Sequence, residues 1–539
     1  MRHTISYASL PALLASLLLL GGCATAPPKP VEPPKDTSPN APFELEEASV
    51  AELQRRMTAK EFTAQAITQL YLERIARLDD AGPQLNAVIE INPEALKIAE
   101  ALDTERAAGK VRGPLHGVPV LLKDNIDTAD SMQTSAGSLA LVGHPAPADA
   151  GLVARLRDAG AVILGKTNLS EWANYRASRS TSGWSARGGQ TRSPYVLDRN
   201  PCGSSSGSAV AIAANLAALA VATETDGSIV CPAAVNGVVG IKPTVGLVSR
   251  SGIVPIAPSQ DTAGPVARSV TDAALLLGVL AGADSRDKAS WDADKKKTDY
   301  LRALDPAALR GVRVGVLRSY SSFNPEVEAA YERSIGKLLE AGAALVDPVK
   351  LANTDKVAAA EQVVLAYEFK TSLNAYLATR NGMPVASLAE LIQWNSTHAA
   401  QELALFGQDL LQAAQKLGGL NDKAYKQALA NLRRYARKDG LDALMKKHKI
   451  DVLVVPTNNP AWVTDPVNGD HYTGGSSSIA ATAGYPSITV PMGQVRELPV
   501  GLSFIGPAWS EAKLLGYAYA FEQVVKARKP PKFLPTIPE

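Results

Sequence analysis

A chain of 539 residues, 46% hydrophobic and 20% charged, can bury a large core and lies in the ordinary globular range. Its 55 Lys and Arg against 53 Asp and Glu leave a net charge of only +2, so no broad basic field is available to hold nucleic acid. Three cysteines exclude a disulfide framework as the main support of the fold, and 41 Gly and 36 Pro with 5% aromatics put the weight on backbone turns and small-residue packing.

In chain order, a leader comes first. Arg2 and His3 precede the apolar run Leu10–Leu20, which is too short to span a bilayer comfortably and ends in Leu20-Gly21-Gly22-Cys23. This resembles a bacterial lipoprotein signal, which implies that residues 1–23 form a signal segment and that Cys23 is lipidated. Membrane contact would then run through that N-terminal lipid alone. Ala24, where an aspartate often marks inner-membrane retention, leans the expectation towards the periplasmic side of the outer membrane. An ordinary signal peptide cut near Ala24-Thr25-Ala26 is the alternative. Residues 24–42 are a proline-rich spacer that can extend but cannot fold.

The folded domain is expected over 43–530. Helical patterns open it in SVAELQRRM and TAKEFTAQAITQLYLERIARL, with Thr58 as an N-cap before Glu61. Gly117–Ile126 reads as an apolar strand running directly into charge. Ala150–Gly160 reads as an amphipathic helix followed by the strand AVILG. The alternation recurs at SAVAIAANLAAL with AVATET, and the C-terminal part carries strands in DVLVVPT and SITVPM. Such alternation predicts an α/β layered core. From about 285 to 449, charged Ala/Leu-rich helices dominate without a chemical motif, which predicts a helical insertion in the same domain.

Three stretches make poor structural sense unless they converge. Lys123 ends an apolar strand, where lost hydration would lower its pKa and make it a usable base; a snorkelling lysine paired with Asp124 is the other reading. Pro201–Ser208 (PCGSSSGS) opens an apolar helix and offers hydroxyls and backbone N–H groups at its positive end. Thr223–Ile229 (TETDGSI) follows a strand, where a tight turn would present Ser228 with successive N–H groups facing one point. A serine needs a base to become a nucleophile. The six histidines form no triad pattern, so Lys123 acting through a second serine is the available route.

The blocks HGVPVLLKDNID, PCGSSSGSAVAIAA and TETDGSIVCPAAVNGVVGIKPT resemble those of the amidase-signature family. SAGS, KTNLSEWA, ATAGYPSITVPMG and LPVGLSFIGPAWSEAKLLGYAYAFEQ are similar to its other blocks, so the resemblance covers roughly 43–526. It implies a central mixed β-sheet covered by helices on both faces, and hydrolysis of carboxamide bonds without cofactor or metal. It also implies a triad of Lys123 as base, Ser204 as relay after a cis Gly203–Ser204 bond, and Ser228 as the acylated nucleophile. Thr225, Asp226 and Gly227 complete the oxyanion turn and Ser205 supports it. The chain departs from the family at Cys202 and Ser206, which stand where glycines are usual, and at Val230, which stands where arginine is usual. The spellings ETDGSIVCPAA and NLSEWAN look most like bacterial peptide amidases, which remove C-terminal amides, so a small-molecule or peptide amide is the expected substrate.

Glu171, Trp172 and Asn174, with Trp184, are candidates to line the substrate pocket, the two tryptophans equally as core. Cys202 and Cys231 flank the site, and unpaired buried thiols are expected there over a bridge. Gly203–Gly207 also fits a G-x-S-x-G elbow centred on Ser205, but no strand precedes it. Ser334-Ile335-Gly336-Lys337 matches S-x-x-K and reads as a solvated helix face. A non-enzymatic alternative is an exported lipoprotein that binds peptides on a silent amidase fold; the presence of Lys123, Ser204 and Ser228 weighs against it.

Overall fold

The structure, a computed structural model, describes residues 38–39, 41–320 and 324–538. The expectations for the leader, Cys23 and the spacer up to residue 37 lie outside these residues. The first two helices are Val50–Thr58 and Ala64–Ile75. Their caps are Ser49 and Thr63, whose hydroxyls accept the N–H groups of Glu52 and Ala66. Thr58 is therefore not a cap: it closes the first helix, and its hydroxyl donates back to the Gln54 carbonyl.

The centre is one eleven-stranded sheet. In chain order its strands are β1 (Val88–Ile91), β2 (Pro119–Lys123), β3 (Val162–Thr167), β4 (Leu219–Glu224), β5 (Val239–Lys242), β6 (Thr262–Ala267), β7 (Arg313–Leu317), β8 (Ala344–Val349), β9 (Val452–Pro456), β10 (Ser487–Val495) and β11 (Leu498–Ile505). Their spatial order is β1-β3-β2-β4-β6-β5-β10-β11-β9-β7-β8. β3, β2 and β4 run parallel, as do β9, β7 and β8, and the pairs between them are antiparallel, so the sheet is mixed. Helices cover both faces, which is why β2, β3 and β4 are buried along their whole length and read as unbroken apolar runs.

The stretch 285–449 is not helical throughout. It supplies β7 and β8 to the sheet, in RVGVL and ALVDPV. β8 lies at the sheet's edge and is half exposed, so its polar residues hide the strand among charged helices. Nor is Ser334 on a solvated face: on the helix Pro325–Glu340 it is buried and its hydroxyl donates to the Ala330 carbonyl, while Lys337 reaches solvent beside Glu340.

Candidate active site

β2 ends on Lys123 and its parallel neighbour β4 ends one residue before Thr225, so strand pairing brings the two chain segments together. Lys123 is fully buried. Its Nζ lies 2.7 Å from Ser204 Oγ, 2.9 Å from Thr223 Oγ1 and 3.3 Å from the Thr223 carbonyl. Burial pushes the amine down to about 7, against weak opposition from Glu224 and Asp261. The reading of a snorkelling lysine paired with Asp124 does not hold. Asp124 accepts instead from Ser135 Oγ and the Gly137 N–H and faces Arg187 at 3.3 Å.

The Gly203–Ser204 bond is cis, as expected. Ser204 is buried, and its carbonyl accepts the Ser170 N–H at 3.0 Å. Ser205 is engaged rather than poised: its hydroxyl donates to the Thr223 carbonyl at 3.0 Å and its N–H to the Ser228 carbonyl at 3.2 Å. That ties the segment of Ser204 to the turn of Ser228 and leaves no place for an elbow centred on Ser205.

The turn 225–228 is held from below by Glu224, whose Oε2 accepts the N–H groups of Ile229 (2.7 Å) and Val230 (3.0 Å). Thr225 Oγ1 donates to Asp261 at 2.5 Å. Gly227 has φ +81, and a Cβ there would lie 2.9 Å from Ser477 Oγ, so only glycine suits the position. Among the described residues no acceptor meets the N–H groups of Asp226, Gly227 or Ser228. Unengaged successive N–H groups at a buried turn are what an incoming oxyanion needs.

A cavity of about 390 Å³ adjoins the turn. Asn125, Thr223, Thr225 and Asp261 line its polar side, residues 253–256 an apolar wall, and Ser372, Ala375 and Tyr376 a further side; Ser228 is not among the lining residues. The expected lining by Glu171, Trp172 and Asn174 is corrected, since the cavity takes only Ala173 from that segment. Glu171 is turned inwards onto Arg176, 2.5 Å away. Trp172 packs in a core cluster and Asn174 accepts from Ser180 Oγ at 2.7 Å. Trp184 is core, edge-on to Phe406.

The cysteines also differ from expectation. Cys202 and Cys231 form a disulfide with Cα atoms 6.1 Å apart. The pairing follows from the site itself, which brings the segment before Ser204 against the helix Val230–Val235 after Ser228. Cys202 has φ +57, the left-handed region in which the family's glycine is at ease. Opening the bridge with Cys202→Ala and Cys231→Ala should cost about 3–4 kcal/mol by loop-closure entropy. Keeping Cys231→Ala but placing glycine at 202 should recover about 1 kcal/mol of that. Urea unfolding of the two double variants checks both figures.

A family model described as Amidase matches residues 66–515. The chain belongs to the amidase-signature family. As an amidase it hydrolyses carboxamide C–N bonds. A solved structure of native peptide amidase from Stenotrophomonas maltophilia is 56% identical, covers 91% of this amidase and 100% of its own chain, and superposes with a TM-score of 0.88. A probable amidase of Arabidopsis thaliana is 42% identical over 91% of this chain and 93% of its own. One subunit of the glutamyl-tRNA(Gln) amidotransferase of Pseudomonas syringae pv. syringae is 36% identical over 89% and 98%.

Sequence reasoning missed Glu224, Asp261 and Thr223 as supports of the amidase site. Glu224 and Thr223 lay inside a quoted motif, and the signal was an acid at the end of a fully buried strand, a position that burial makes costly without N–H partners.

Proposed function

We propose that this amidase works through Lys123, Ser204 and Ser228 and releases ammonia from the C-terminal carboxamide of peptides. The observation that carries the reading is the buried contact of 2.7 Å between the Lys123 amine and Ser204 Oγ. Neutral Lys123 takes the Ser204 proton while Ser204 takes that of Ser228. Ser228 Oγ bonds to the amide carbon, and the N–H groups of the turn hold the charge that develops on oxygen. The proton returns through Ser204 to the departing nitrogen, ammonia leaves, and an ester on Ser228 remains. Water then attacks along the same route and frees the carboxylic acid. The peptide preference is supported by the 56% identity to a peptide amidase over its whole chain and by a cavity, large enough for a side chain, that adjoins the turn at Thr225.

We further infer that the chain is exported and lipidated at Cys23. The leader's composition supports this, and so does a disulfide, which persists in oxidising compartments. The tRNA-dependent amidotransferases share the family, but an exported chain meets no aminoacylated tRNA.

Ammonia release from a peptide C-terminal amide, a free aliphatic amide and an aryl amide tests the substrate. The peptide amide should be turned over with the highest kcat/KM. Release from the simple amides alone would discard the peptide preference and keep the mechanism. Silence on all three with folded protein would favour a peptide-binding lipoprotein.

A further inference from the structure

Glu361 stands on the helix Thr354–Leu377, outside every motif quoted above, yet its buried carboxyl faces the turn that carries Ser228. Gln260 joins the two, since its Nε2 donates to Glu361 Oε1 at 2.8 Å and to the Thr225 carbonyl at 3.3 Å. On the turn, Asp226 Oδ2 accepts from Ser478 Oγ. Asp226 Oδ1 is buried and meets no donor among the described groups. A buried acceptor without a donor is costly, and Glu361 is the neighbour able to supply one. Burial first, and the Asp226 charge second, hold the Glu361 carboxyl well above the ordinary carboxylate range. A carboxyl buried beside a second carboxyl group retains its proton.

Resting on the reading of 225–228 as the oxyanion turn, we propose that Glu361 donates a carboxyl O–H to Asp226 Oδ1 and is thereby a positioning residue for the turn's N–H groups. The same helix grips the turn's surroundings a second time. Seven residues on, Glu368 accepts the Ser259 N–H at 2.9 Å and the Tyr425 hydroxyl at 2.7 Å. Residues 256–261, so fastened, hold Thr225 through Asp261. The groups facing Glu361 are Asp226, Gln260 and Tyr175; around Asp226 stand Glu224, Lys242, Tyr320 and Tyr472. Lys242, the cation among them, is occupied by the carbonyls of Tyr485 and Pro243. Raising the pH removes the Glu361 proton and with it the donor to Asp226, so the device fails on the alkaline side.

The test is the pH profile of kcat on the amide that the enzyme turns over, for wild type, Glu361→Gln and Glu361→Ala. Glutamine keeps an N–H donor for Asp226, so Glu361→Gln should stay near wild type at neutral pH and lose the alkaline descent of the wild-type profile. Glu361→Ala should lower kcat about 10²-fold with KM little changed, the scale of misplacing a reacting group by an ångström. An alkaline descent identical in Glu361→Gln and wild type overturns the proposal, as does a folded Glu361→Ala with undiminished kcat. An infrared readout compares wild type with Glu361→Gln. A buried protonated C=O band that wild type shows and Glu361→Gln lacks should bleach with the midpoint of the alkaline descent, and a difference band that persists through the descent overturns the proposal. Turnover surviving in Ser228→Ala would instead sink the reading of the site, with the infrared result standing apart from it.

Discussion

Ser228→Ala and Lys123→Met should each remove ammonia release, a fall in kcat of roughly 10⁴-fold or more, and the double variant should be no worse than either single one. On the proposed mechanism the two groups act on one proton path, so losing either end disables the whole. A lysine on this path works only when neutral. Burial holds Lys123 at about 7, so wild-type turnover should rise through that pH and fade below it. The same shift has a stability signature that separates folding from chemistry. The folded value of about 7 lies below the unfolded 10.5, so the stability contribution is present above 10.5 and is lost as pH falls to about 7. Lys123→Met escapes that loss. Thermal melts should find it more stable than wild type near pH 6 and close to it near pH 10, while it stays inactive at both. A Met variant that keeps its turnover would refute the base assignment.

Arg176→Met should destabilise the fold by about 3–5 kcal/mol, the usual result of removing one partner from a buried ion pair. Arg176 is fully buried. Its guanidinium lies 2.5 Å from Glu171 and 4.0 Å from the centre of the Phe406 ring, and donates to the carbonyls of Glu402 (2.5 Å) and Phe406 (3.1 Å). Glu402 in turn accepts the Leu139 N–H at 2.7 Å. This knot therefore joins two signature segments, around 138 and 171–176, to the short helix Ala399–Glu402 and the turn that follows it to Phe406. Burial, reinforced by Glu402 and opposed by Arg176, raises the Glu171 carboxyl to about 8. A folded value raised above the unfolded 4.5 gives stability that is full below 4.5 and lost as pH rises through 8. Without the arginine both carboxyls hold their protons more tightly, so the deficit of the variant should be smaller at pH 5 than at pH 8. Urea unfolding at the two pH values checks this. Equal deficits would mean that packing alone accounts for the loss.

The parts of the fold legible in the sequence were those whose pattern reports burial directly. β2, β3 and β4 are buried on both faces and read as continuous apolar runs, and each carries or borders a signature block. β7 and β8 were not legible, because short strands near a sheet edge carry arginine and aspartate and sit between charged helices. At the site, Lys123, Ser204 and Ser228 stood out by residue type. Their supports did not, because Gln260 and Asp261 reach the turn from the loop before β6 and Glu361 from a helix far along the chain. Glu171 and Trp172 misled for the opposite reason: they adjoin the site in sequence, but a turn with Trp172 at φ 51 and Ala173 at φ 53 swings both side chains into the core.

Ser204 and Ser228 lie within the single ring that the Cys202–Cys231 bridge closes, together with β4 and the turn between them. Lys123 lies outside this ring and meets it through the pairing of its strand with β4 and through the contacts of its amine with Ser204 and Thr223. Covalently, then, the three groups are two pieces. Gentle loosening of the β2–β4 seam would draw the amine away from its partner while the two hydroxyls kept their mutual spacing. On the proposed mechanism, the earliest injury to such an enzyme would be a missing proton acceptor, with Ser228 and the N–H groups of its turn still assembled.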